Sequence, residues 1–213
     1  MERQEFEKDH QNKALNGFMV GGACGLGAAL AFSAAVILAF TGGAWGQVDR
    51  DARDMLTASL AECEAAAFTG DTSGRAIGAC DSALRSSDLS ASTRARVLVN
   101  RGAIAVRRGE AGPAMGDLEE AVNLEPELAE AWLTLSGAYI GAGRYAAAID
   151  AARTALAQEV SRPALAHFNI AIAHESAGRL GLAYDAYVTA AELDPDDATL
   201  AAQPRRFLQH RAG

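Results

Sequence analysis

From Arg96 onward, apolar residues recur at helical spacing in short runs that end at glycine or proline. RVLVNRGAIAVRR (96–108) runs into Gly109, PAMGDLEEAVNL (113–124) resumes the same periodicity, and Pro126 ends it. The pattern then repeats. Gly109, Ala114 and Ala121 are followed by Gly143, Ala148 and Ala155, then by Gly178, Ala183 and Ala190. An internal repeat of this length, with small residues at its fixed positions and no alternating Val, Ile or Thr, predicts a pair of helices per unit. The glycines supply the left-handed conformation that closes a helix, and the alanines are small where two helices cross closely. Upstream, RDMLTASLAECEAAAF (53–68) and GRAIGACDSALRSS (74–87) predict another helical hairpin about the turn-rich TGDTSG. Downstream, DDATLAAQPRRFLQHR (196–211) predicts an Asp-capped amphipathic helix interrupted by Pro204.

With these positions aligned, the chain resembles the tetratricopeptide repeat family. The second repeat carries Trp132, Leu135, Ser136, Tyr139, Gly143, Tyr145, Ala148 and Ala155. The third carries Ile170, Ala171, Gly178, Ala183, Tyr187, Ala190 and Pro195, and the first carries Leu98, Gly102, Gly109, Ala114, Leu118, Ala121 and Pro126. Arg101 departs from the pattern at a site where the family has Leu, and His167 and His174 stand where it has large apolar or aromatic residues. The resemblance implies an all-α, right-handed α-solenoid with repeats at 95–128, 129–162 and 164–197. A degenerate first hairpin at 47–90 and a C-terminal cap at 198–213 would close its ends.

The N-terminal 46 residues are of a different kind. No charged residue occurs between Lys13 and Asp49, and AALAFSAAVILAF (28–40) is a dense apolar core. Two readings stay open: a cleaved export signal ending near Ala44 or Gly46, and a retained membrane anchor over residues 14–45. Both put the repeats outside the cytoplasm, and the resemblance to short exported repeat proteins rich in Ala and Arg implies the periplasm of a bacterial envelope. Cys63 and Cys80 face each other across the first hairpin, so a disulfide is expected in an exported chain, the alternative being two buried thiols.

Charge narrows the partners. The formal net charge is −8, and the array after position 46 carries 16 basic against 23 acidic residues, so it repels polyanions overall and lacks the basic stripe that phosphate neutralisation needs. Nucleic acid is excluded as an expected partner. No phosphate loop, nucleophile elbow or calcium loop occurs, and His167 and His174 lie too far apart in sequence for a helical zinc pair, so no catalytic residue, metal or cofactor is assigned.

The resemblance implies a concave groove lined by the first helix of each repeat. Transferred residue by residue, it comprises Arg96, Val99, Asn100, Ala103, Val106 and Arg107; Leu133, Thr134, Gly137 and Ile140; and Phe168, Asn169, Ile172 and Glu175. The Lys, Asn and Arg clamp with which chaperone-binding members hold a terminal carboxylate is replaced here, largely by Val99, Ala103, Thr134 and Asn169. The expected function is a non-catalytic module binding an extended protein segment, with self-association into a structural oligomer as the alternative.

Overall fold

The computed structural model describes residues 34–211, with side chains over 47–207. The chain divides into two units between Gly46 and Gln47, and the repeats lie in the second. Residues 1–33, which carry most of the segment read as a signal or anchor, lie outside the described residues. Among those described, no helix is long and apolar enough to cross a membrane.

The helices are α1 (Ala34–Thr69), α2 (Gly74–Leu84), α3 (Ala91–Arg107), α4 (Ala111–Leu124), α5 (Ala129–Gly141), α6 (Tyr145–Ala157), α7 (Pro163–Ser176), α8 (Leu180–Leu193) and α9 (Ala198–Arg211). From α3 to α8 they form three antiparallel hairpins stacked as an α-solenoid. The expected break at Pro204 does not occur: α9 runs through it. Pro204 removes one intrahelical donor, and the helix is held on either side by Asp197, which caps the Thr199 and Leu200 amides, and by buried Leu200 and Phe207.

Gly70, Gly109, Gly143 and Gly178 all adopt φ between 72° and 79°. After each, the next amide reaches back to a carbonyl in the last helical turn: Asp71 to Ala66, Glu110 to Ala105, Arg144 to Tyr139 and Arg179 to His174. α6 ends the same way, with Val160 bonded to Ala155, but there the left-handed position is Glu159, at φ 56°. Its side chain is exposed, so Glu159→Gly removes strain without removing a contact. The substitution is expected to stabilise the array by about 1 kcal/mol, a rise of roughly 2–4 °C in a thermal melt.

The repeat alanines are the crossing points. Ala114, Ala121, Ala148, Ala155, Ala183 and Ala190 are all buried. A second register lies on the first helix of each hairpin, seven positions before its left-handed glycine: Cys63, Gly102, Ser136 and Ala171. At Gly102 an added Cβ would stand 2.7 Å from Leu118 Cγ, so this helix pair closes only with glycine there. In the first hairpin the same register is occupied by the Cys63–Cys80 disulfide, both sulfurs fully buried, and Cys80 is the counterpart of Leu118. A covalent bond thus takes the place of a small-on-large contact.

Arg101, the departure from the apolar pattern, is a connector. Its guanidinium makes two parallel hydrogen bonds to Asp117 on α4, at 2.8 and 2.7 Å, and a third to Asp81 on α2, at 2.6 Å. Its hydrogen bonds to Asp117 and Asp81 outweigh burial and raise its pKa, so it stays charged and ties the leading hairpin to the first repeat. In the second repeat, the Pro126 carbonyl accepts hydrogen bonds from Trp132 Nε1 at 2.8 Å and Gln158 Nε2 at 2.7 Å, pinning the α4–α5 turn to α6.

Candidate functional site

The first helices of the hairpins, α1, α3, α5 and α7, share one face of the array and enclose a groove of about 890 Å³. They face it because each second helix spends its apolar stripe on the core, leaving the outer faces of the first helices side by side. Val99, Ala103 and Val106 from α3, Leu133 and Gly137 from α5, and Leu165 and Phe168 from α7 make an apolar floor. Arg96, Asn100, Arg107, Thr134 and Asn169 bring polar groups to it.

Eleven of the fourteen transferred positions therefore line the groove; Ile140, Ile172 and Glu175 do not. All three lie near the C-terminal ends of their helices. Ile140 packs on Ala148, Ile149 and Ala173, and Ile172 packs against the core of the last repeats. Glu175 turns toward the C-terminal cap, where it accepts hydrogen bonds from the Tyr187 hydroxyl and from Arg206. Along α5 and α7 only the earlier turns reach the groove, so equivalent sequence positions are not equivalent surface positions.

The structure adds residues that the repeat pattern does not assign. Glu64, Ala67 and Phe68 of α1 form one wall, so the leading hairpin is part of the groove as well as its cap. Phe68 is 91% exposed, although aromatic. Leu128, Glu130, Ser161, Arg162 and Leu165 complete the lining, mostly from inter-repeat turns and the first turns of α5 and α7. The signal available in the sequence was the register that places 64–68 before Gly70 as 103–107 stand before Gly109.

The uncharged polar side chains of the groove helices, Asn100, Thr134 and Asn169, are not equally available to a ligand. Asn169 Nδ2 donates to Ser136 Oγ at 2.6 Å, satisfying a fully buried hydroxyl, and Thr134 Oγ1 donates to the Glu130 carbonyl at 2.8 Å. The Asn100 amide makes no hydrogen bond to another described residue. It offers both a donor and an acceptor to a ligand.

The two histidines sit apart from this face. His174 is buried, its Nδ1 has no hydrogen-bond partner among the described residues, and burial, reinforced by Arg179 and Arg153, lowers its pKa. Burial alone lowers that of half-buried His167. Among the described residues no cluster of three or more His, Cys, Asp or Glu is arranged to hold a metal.

No protein-family model and no curated protein matches the sequence. Solved structures do match in fold. The first TPR domain of human RPAP3 superposes with a TM-score of 0.51 at 20% identity, covering 56% of this chain and 93% of that one. The first TPR of Spaghetti (RPAP3), bound to the HSP90 peptide SRMEEVD, gives 0.51 at 20%, over 57% and 96%. MamA from Desulfovibrio magneticus, residue 41 to the end, gives 0.59 at 14%, over 75% and 86%. The array is thus a tetratricopeptide-repeat fold, an all-α solenoid with the Cys63–Cys80 disulfide in its leading hairpin.

Proposed function

We propose that this tetratricopeptide-repeat array is a non-catalytic binding module of the bacterial cell envelope, holding an extended segment of a partner protein in the groove between α1 and α7. The observation that carries the proposal is the groove: a cavity of about 890 Å³ with an apolar floor, edged by charge and by the Asn100 side-chain amide, which makes no hydrogen bond to another described residue. A floor of this kind takes up alternate side chains of an extended chain while an amide engages its backbone. One fold neighbour was solved with a peptide, in line with this use of the fold. The envelope setting is favoured by the uncharged apolar stretch before Asp49 and by a disulfide of two fully buried cysteines in the first hairpin.

Gly137 provides the test. It lies on the floor, and a Cβ added there would meet Val106 at 3.8 Å and Asn169 Nδ2 at 4.0 Å, both ordinary contacts, so the helix accepts a side chain there while the groove is filled by it. Gly137→Phe is expected to weaken binding to peptides selected on an array of random twelve-residue sequences by about tenfold or more, equivalent to about 1.4 kcal/mol. Circular dichroism and the melting temperature should stay near wild type. Undiminished binding by a folded Gly137→Phe protein would place the partner elsewhere.

A further inference from the structure

Resting on the groove reading, we infer that the partner segment is apolar with acidic side chains beside its apolar residues, recognised within a chain and not at a C-terminus. Five charged residues line the groove: Glu64, Arg96, Arg107, Glu130 and Arg162. Glu64 and Arg96 neutralise each other at 3.6 Å. Glu130 lies in the first turn of α5, where the helix dipole favours a carboxylate, and accepts the Ser161 amide at 3.4 Å. Among the described residues, Arg107 and Arg162 have no ion-pair partner. A protein with a formal charge of −8 thus keeps two guanidinium groups without an ion-pair partner among the described residues on this apolar groove.

Their placement sets the chemistry of the occupant. Arg107 closes α3, and Arg162 immediately precedes α7 at the opposite helix end. Between them the lining is Val99, Ala103, Val106, Leu133, Leu165 and Phe168, with no cation in the floor. A terminal carboxylate seated on that floor would lose its hydration without gaining a charged partner. Acidic side chains reach the two rim arginines from an apolar backbone run, where Arg forks pair with carboxylates. Basic segments would meet like charge at both ends.

The full-length protein is applied to an array of random twelve-residue peptides, acetylated and amidated so that no terminal charge remains. Bound peptides should be enriched in Asp and Glu adjacent to Leu, Ile or Phe, and their affinity should fall as salt rises. For the best peptide, the Arg107→Glu, Arg162→Glu double variant should lose about tenfold or more in affinity, about 1.4 kcal/mol. Arg205→Glu, on α9 away from the groove, should stay within about twofold of wild type. Enrichment of basic or uncharged peptides, or a double variant binding like wild type, overturns the acidic assignment. Peptides that bind equally to Gly137→Phe overturn the groove itself, so the two failures are distinguishable. Detectable binding only when a free C-terminal carboxylate is restored also overturns the internal-segment reading.

Discussion

Replacing Tyr187 by Ala is expected to cost about 3–5 kcal/mol, the range for deleting a buried aromatic ring. Tyr187 is 1% exposed and is the largest fully buried side chain among the described residues. Its ring contacts Phe168 at 5.8 Å and Phe207 at 6.0 Å, and the Arg206 guanidinium lies over it at 5.8 Å. The hydroxyl donates to Glu175, and burial together with that carboxylate pushes its pKa well above the usual phenol range. One side chain thus joins α7, α8 and the capping helix α9. Because each hairpin of a solenoid is stabilised by its neighbours, the loss should be local. Hydrogen exchange should accelerate in α8 and α9 first, while α3 and α4 keep their protection. Tyr187→Phe leaves the ring in place and Glu175 paired with Arg206, so its expected cost is only about 1 kcal/mol. Equal costs for the two variants would show that the ring is not the keystone of the C-terminal end.

The second large effect is expected at the other end. Removing the disulfide with Cys63→Ala and Cys80→Ala should cost about 3 kcal/mol, the loop-closure value for a separation of 17 residues. The surrounding core cannot compensate well. Its buried members are mostly small, Ala66, Ala76, Ala79 and Ala83, with Val97 and Ile104 supplied by α3, and the hairpin's larger Leu56, Leu60, Ile77 and Leu84 are only partly buried against them. The consequence reaches the groove, since Glu64, Ala67 and Phe68 follow Cys63 within two turns of α1. Hydrogen exchange should quicken in the 47–84 region while α5 to α8 remain protected, and peptide affinity should fall with it. A double variant melting within about 1 °C of wild type, well inside the shift that 3 kcal/mol implies, would assign the hairpin's stability to packing alone.

The two ends also mark how far local pattern carries. Glycines at φ above 70° and alanines at helix crossings announce themselves, because backbone conformation and steric closeness admit few residue types. The pairing of Cys63 with Cys80 follows from the same hairpin register. Arg101 could not be read this way. A charged residue at an apolar site looks like a packing defect until Asp81 and Asp117, from helices on either side, are brought to it. Glu159 is opaque for a related reason, since it occupies a glycine's conformation without glycine's signature.

The groove divides along the same line. That the first helices would face one side, and that Val99, Ala103, Leu133 and Phe168 would lie on it, is what the resemblance to the tetratricopeptide family implies once the repeats are aligned, because similar hairpins stack in one sense. Which turns of α5 and α7 reach it, that Asn169 is committed to Ser136 while Asn100 is unengaged, and that α1 supplies a wall with Phe68 depend on contacts between repeats. A repeating sequence specifies the unit and its helix crossings through short-range sterics. The small offset between successive units and the sharing of polar partners across them are properties of the stack, and they decide which side chains a partner meets.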